Sequence, residues 1–322
     1  MTQHVSGTIE ASLPWAPVDV PEDVPHGDMP GDQVHILPLH VEKANVIFPA
    51  LAEALLPALR ANPWSRAVVA VAGGSGVGKS EVASVLSYLL RTLGVGSYTL
   101  SGDNYARRIP KQNDAERLRI FREYGLRGLI ASGGYTPDRA EALRELQRAG
   151  GDSDPAHLVE LTWVAAYQHA GRSGLKGYLG TPDEADFEEL SSVVSQFKNG
   201  ASSALLRRMG RGDADLWYEA VDLAETSVLV IEWTHGNSDF LRGVDVSIFL
   251  DSSPDETLEH RRARNRDGAI DSPFTTTVLG IEQEMLESQA RKAKIILSKG
   301  GELLSRSEFR RLTAERWGGP DA

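Results

Sequence analysis

Residues 73–80, Gly73-Gly74-Ser75-Gly76-Val77-Gly78-Lys79-Ser80, constrain this chain more than any other stretch. They satisfy G-x-x-x-x-G-K-[ST], and they directly follow Ala67–Ala72 (AVVAVA), a continuously apolar run of the kind that forms a parallel strand buried on both faces. After the loop, Val82, Val85, Leu86, Leu89, Leu90 and Leu93 fall at i, i+3, i+4, i+7, i+8 and i+11, one face of a helix. Strand, glycine loop and helix in that order predict a phosphate-binding loop. Its glycines let backbone N–H groups turn inward around phosphate oxygens, and the helix N-terminus adds partial positive charge. Lys79 is placed to neutralise the β- and γ-phosphates of ATP, and the Ser80 hydroxyl to ligate Mg²⁺. A turn that merely packs strand on helix would explain the glycines and leave Lys79-Ser80 without a reason. A dinucleotide fingerprint fails, because Lys79 stands where a third glycine belongs.

Further short strand candidates are Ser97–Ser101, Val228–Ile231, Val244–Leu250 and Lys294–Ser298, most of them preceded by helical patterns. Alternation of this kind predicts an α/β fold: three α/β/α layers around a parallel sheet of about five strands. Residues 1–40, with Pro14, Pro17, Pro21, Pro25 and Pro30 among acids, read as a flexible arm, and 41–322 as the phosphate-loop domain. Val41–Leu59 has helical spacing. Between about 105 and 176 the text changes to two or three amphipathic helices separated by Gly133-Gly134 and Gly150-Gly151, without a strand, and reads as a helical insertion. Thr181-Pro182-Asp183-Glu184 and Ser253-Pro254-Asp255-Glu256 both read as helix starts, with an N-cap, Pro at N1 and an acid at N3.

Composition removes several alternatives. The 322 residues contain no cysteine, which excludes disulfides, thiolate metal sites and a cysteine nucleophile. No run of about 18 consecutive apolar residues occurs, and the N-terminus lacks a signal-peptide pattern, so a cytoplasmic protein without a membrane partner is expected. A net charge of −11 disfavours a nucleic-acid partner. The chain is compatible with a homodimer.

In open α/β sheets the ligand lies beyond the carboxyl ends of the strands. Asp103 follows the second strand candidate in Ser101-Gly102-Asp103-Asn104-Tyr105, where it could take a hydroxyl proton from an acceptor. Glu232 ends Val228-Leu229-Val230-Ile231-Glu232, where it could hold Mg²⁺ opposite Ser80. Both residue types also occur as ordinary turn-forming or solvated acids. Tyr105, Arg107, Arg108, Trp233 and His235 flank these acids and are candidate substrate contacts, and Arg107, Arg108 and Lys111, close behind Asp103, suggest a carboxylate or phosphate on the acceptor. Arg261, Arg262, Arg264 and Arg266 put four arginines into six positions of an acidic chain. They read as a lid, with Arg262 and Arg266 assigned to the transferring phosphate and Arg264 to the nucleotide; a solvated helix end is the plainer reading.

These residues resemble the P-loop small-molecule kinases of the uridine kinase, phosphoribulokinase and bacterial pantothenate kinase group. The resemblance runs through residues 67–104 and 177–300, including Gly177–Leu190, Lys198-Asn199-Gly200, Gly243–Asp251 and Lys294–Lys299. It implies a nucleoside-kinase-like P-loop fold, Mg-ATP as cofactor, and phosphoryl transfer to a hydroxyl of a small metabolite, with Asp103 as the acceptor's base and Glu232 beside the metal. The group's Glu-Gly is Glu232-Trp233 here, so a bulky indole stands where backbone normally passes close to ligand. Leu100–Asn104 is also similar to adenylylsulfate kinases, which makes that activity an alternative. An ATP-dependent regulatory switch is the alternative from another class.

Overall fold

The computed structural model describes residues 2–21, 23–32, 34–210, 212, 215–259, 262 and 272–317. The chain divides into two units, one of Met1–Ala106, Asp186–Ser253 and Leu286–Ala322, the other of Arg107–Ala185 and Pro254–Met285.

In the first unit, β1 (Ala67–Gly73), β2 (Ser97–Ser101), β5 (Val228–Glu232), β6 (Val246–Leu250) and β7 (Ile295–Leu297) form a sheet in the order β2-β5-β1-β6-β7. Every pairing in it is parallel. β1 is central and buried along its whole length. Its Val69 and Val71 side chains pack with Ile47, Leu51 and Leu55 of α2 (Pro38–Ala61) and with Val82, Leu86 and Leu89 of α3 (Lys79–Thr92). On the other face α7 (Phe187–Lys198) lies against β1, and Phe309 of α9 (Arg306–Arg316) meets Phe249 of β6 edge to face at 5.7 Å. These are the expected three layers. α2 is long and apolar enough, by composition, to cross a membrane. Here it is a core helix: Ile47, Phe48, Leu51, Leu55 and Leu59 have no exposed surface. Each such side chain stabilises the fold by about 1.5–3 kcal/mol relative to exposure.

Two features of this unit depart from the sequence reading. The described part of residues 1–40 is not a loose arm. α1 (Thr2–Ala11) buries Ile9 in the core, and Trp15 stacks on Phe48 with ring centroids 4.2 Å apart while its indole N–H donates to Asn45 at 3.0 Å. Prolines in this segment break helices without preventing docking. The second departure is an antiparallel hairpin, β3 (Ser203–Met209) with β4 (Leu216–Asp222), where no strand was expected.

The second unit contains α4 (Pro110–Ala131), α5 (Pro137–Ala149), α6 (Val164–Lys176) and the first part of α8 (Pro273–Ala290). Its own core gathers Phe121, Leu129, Leu143, Tyr167, Leu175 and Ile281. α4 and α6 approach closely because glycines line their contact: a Cβ on Gly128 would stand 2.2 Å from Ala170 Cβ, and one on Gly171 would stand 2.7 Å from the Phe121 ring. The unit begins near the expected insertion boundary but extends past it to Ala185 and takes in Pro254–Met285.

Both predicted helix starts are turns instead. Glu184 is buried, accepting from the Gly180 N–H at 2.6 Å and from Arg117, which also pairs with Glu282 at 3.0 Å. A carboxylate held inward this way cannot cap a helix, and α7 begins at Phe187 with Asp186 accepting from the Glu189 N–H at 3.0 Å. Residues 254–257 likewise form a turn, and residues 258 and 259 are helical.

Gly171→Val should destabilise the chain by about 1–3 kcal/mol, because the new side chain overpacks the α4–α6 contact. Urea unfolding with parallel circular dichroism checks it; an unchanged midpoint contradicts this packing.

Candidate active site at the ends of the central strands

The loop after β1 is shaped from both sides. Gly73, Gly76 and Gly78 have φ of 154°, 78° and 94°. A Cβ on Gly73 would lie 2.6 Å from the Leu250 carbonyl of β6, and one on Gly78 would lie 3.1 Å from the His40 ring of α2. Glycine is therefore required for close approach as well as for turning. Lys79 folds back over the loop and donates to the Gly74 carbonyl at 2.9 Å.

Glu232 stands at the tip of β5, in register with Val71 on β1 and Ser101 on β2. Its two oxygens are engaged separately: Ser80 Oγ donates to Oε2 at 3.1 Å, and Ser101 Oγ to Oε1 at 2.5 Å. The side chain is buried. Burial, followed by the negative charge of Asp103, raises its carboxyl to about 8 against the opposing pull of Ser101, Lys79 and Ser80. The structure thus brings Ser80 and Glu232 together as expected. It adds Ser101, which the sequence reading passed over.

The residues fit a magnesium ion. One carboxylate and one hydroxyl at hydrogen-bond distance are hard oxygen donors. Among the described residues no group of three or more His, Asp or Glu could hold a metal. Mg²⁺ keeps waters and substrate phosphates as most of its ligands, so it asks for only one or two side-chain oxygens.

Asp103 is exposed in the 3₁₀ turn Gly102–Tyr105 that follows β2. The turn lies on Trp233: a Cβ on Gly102 would fall 2.1 Å from the indole Cγ. Trp233 is itself buried, packed on Phe187 at 4.7 Å and edge-on to His235 at 5.4 Å. Tyr105 has no exposed surface, and His235 is buried too. Tyr105, Trp233 and His235, the candidates for substrate contact, are thus all buried, and Trp233 underlies the turn that carries Asp103.

Arg107 and Arg108 belong to the second unit. Arg107 Nε donates to the Pro182 carbonyl at 2.5 Å, and Arg108 Nη1 to Tyr178 Oη at 3.1 Å and to the Asp183 carbonyl at 3.3 Å. Both guanidinium groups hold the 178–184 turn. Arg262 is exposed and helical, whereas Arg261, Arg264 and Arg266 lie outside the described residues.

A second polar cluster borders the Asp103 turn. Asp28 accepts from the Ser101 N–H at 2.7 Å and from Asn104 Nδ2 at 3.1 Å through Oδ1, and from Tyr98 Oη at 2.9 Å and Arg208 Nη1 at 2.8 Å through Oδ2. Neither Asp28 nor Arg208 was a sequence candidate. One lies in the supposed arm and the other in the unforeseen hairpin.

No family model matches the chain. Over 240 residues, 74% of its length, it is 39% identical to the bifunctional alpha-galactosidase/sucrose kinase AgaSK of Mediterraneibacter gnavus. The chain spans 21% of that relative's length. Among solved structures, a possible uridine kinase from Bacillus stearothermophilus superposes with a TM-score of 0.40 at 14% identity, covering 77% of this chain and 97% of that one. The YGR205w protein does so with a TM-score of 0.43 at 9% identity, covering 83% and 96%. Sheet order, all-parallel pairing and the loop between β1 and α3 are those of a P-loop α/β fold in their own right.

The raised carboxyl of Glu232 has a thermodynamic consequence. Unfolded, it ionises near the ordinary carboxyl value of 4.5; folded, near 8. Between those values the folded state keeps a proton that the unfolded state has lost, so stability falls as pH rises through that window. Glu232→Gln removes this loss. Its Tm should gain on the parent's by about 5 °C between about pH 5 and pH 8 in calorimetry without added metal. A difference that does not vary with pH would contradict the assignment.

Proposed function

We propose that the chain is a Mg²⁺-ATP-dependent kinase that transfers the γ-phosphoryl group to a hydroxyl of a sugar. The observation that carries this reading is the pairing of Ser80 with the buried Glu232 beside the phosphate loop, with Asp103 exposed one strand away. The loop N–H groups and Lys79 would hold the triphosphate, and Ser80 and Glu232 the metal. When bound, Mg²⁺ supplies charge neutralisation at the β- and γ-oxygens. Asp103 accepts the proton of the acceptor hydroxyl as its oxygen bonds to the γ-phosphorus; the bond from that phosphorus to the β,γ-bridging oxygen breaks, and ADP leaves.

The acceptor class is supported by the sequence relative, whose name joins a galactosidase to a sucrose kinase. Of those two activities, the phosphate loop belongs with the kinase. The anionic acceptor suggested by Arg107 and Arg108 loses its support, because both guanidinium groups are turned to the 178–184 turn. A neutral polyol is the better fit.

Purified protein with Mg-ATP and a panel of sugars including sucrose should form ADP only when an acceptor is present, with a phosphosugar detected by mass spectrometry. Asp103→Asn should lower kcat by about 10²- to 10⁴-fold while the KM for ATP stays within about threefold. Acceptor-independent hydrolysis stimulated by a protein would establish the regulatory switch instead, and turnover of adenylylsulfate the other kinase.

A further inference from the structure

The N-terminal segment reaches the strand ends where the chemistry is proposed to occur. Val24 is buried, and a Cβ on Gly27 would lie 3.6 Å from Thr99 Cγ2 of β2 and 3.9 Å from Glu232 Oε1. The next residue, Asp28, has a side chain only 9% exposed, and its partner Arg208 5%.

What Asp28 holds is specific. Oδ1 takes Ser101 N–H and Asn104 Nδ2, which stand on either side of Asp103 in sequence. Ser101 is the N-cap position of the 3₁₀ turn and also donates its hydroxyl to Glu232. Asn104 has no exposed surface, and its own Oδ1 accepts from the Met209 N–H of β3 at 3.0 Å. Oδ2 is fixed by Tyr98 on β2 and Arg208 on β3. One carboxylate thus ties both ends of the turn to strand and hairpin. A general base must stay within hydrogen-bond reach of the hydroxyl it deprotonates, and a misplacement of about 1 Å can cost 10²-fold.

We propose that Asp28 is a positioning residue that clamps the Gly102–Tyr105 turn so that Asp103 faces the acceptor, which makes the N-terminal segment part of the phosphoryl-transfer site. The proposal rests on the kinase reading above. Asp28 acts only through Ser101 and Asn104. Asparagine at this position keeps the size but replaces one acceptor oxygen with a donor. Whichever way the amide turns, either the Ser101/Asn104 pair or the Tyr98/Arg208 pair then faces a donor.

The test uses the full chain with Asp28→Asn and the milder Tyr98→Phe, which removes one of the four hydrogen bonds and leaves the charge. Hydrogen–deuterium exchange of a peptide over residues 98–106 should speed up about tenfold or more in Asp28→Asn, with the phosphate-loop peptide unchanged. With whichever sugar of the panel the parent phosphorylates, kcat should fall about tenfold or more while the KM for ATP stays within about twofold; Tyr98→Phe should fall between variant and parent. Unchanged exchange in residues 98–106, or unchanged kcat in a folded Asp28→Asn, overturns the proposal. So does a loss of rate matched by equal weakening of ATP, the signature of general structural damage. A parent that phosphorylates no acceptor removes the kinase reading and this proposal with it, whereas an active parent with an equally active Asp28→Asn removes this proposal alone.

Discussion

The Glu232 carboxylate is the interaction on which the rest of the site depends. A buried charge is costly unless it is paired or hydrogen-bonded, and two hydroxyl donors do not neutralise it. Ser80 and Ser101 orient the group, but burial and the charge of Asp103 still hold it toward its protonated form. A cation placed between Ser80 and Glu232 would reverse that balance and let the acid ionise. Because Ser80 opens α3 and Ser101 closes β2, the same carboxylate also fixes the phosphate loop relative to the turn that carries Asp103. In the proposed phosphoryl transfer, the two reacting ends would thus be registered through one side chain.

The Glu232-Trp233 departure from the kinase pattern has a steric explanation in Gly102. The indole occupies the space a side chain at 102 would need, so a bulky residue after the β5 acid is matched by the absence of one before the β2 acid. Phe187 closes the other side of the ring, and Phe240 packs behind Phe187 at 5.5 Å. The floor under the Asp103 turn, Trp233 on Phe187, is aromatic and buried, which makes it stiff without adding a charge.

The readable parts of the sequence were those where one physical requirement dominates. Short apolar runs such as AVVAVA become strands because both faces are covered, and the phosphate loop announces itself because glycine, lysine and serine are each needed at fixed places. Gly133 and Gly150 marked helix ends for the same kind of reason, both at φ 70°. The hairpin stayed hidden because β4 has almost no buried face, so Leu216–Asp222 shows no alternation to detect. The docking of residues 1–40 was hidden because it rests on a few polar and aromatic anchors, Trp15 on Phe48 and Asp28 on Arg208, whose partners are distant in sequence. Thr181–Glu184 misled for a related reason: its acid is claimed by Arg117, a contact that local capping rules cannot see.

Charge bears most directly on the kind of acceptor. In a chain of net charge −11, basic residues near Asp103 in sequence invite an anionic ligand as their explanation. The structure supplies internal ones. Arg107 and Arg108 hold carbonyls and Tyr178 within the second unit, Arg117 is shared by Glu184 and Glu282, and Arg208 is paired with Asp28 and Glu219. Of these, the buried Arg208 guanidinium is costly to redirect toward a ligand, since it would leave Asp28 uncompensated behind it. What the Asp103 turn offers an acceptor is an exposed carboxylate over a neutral aromatic base. On the proposed kinase reading, that surface would favour a hydroxyl-rich, uncharged acceptor over a second anion, which would meet Asp103 with like charge.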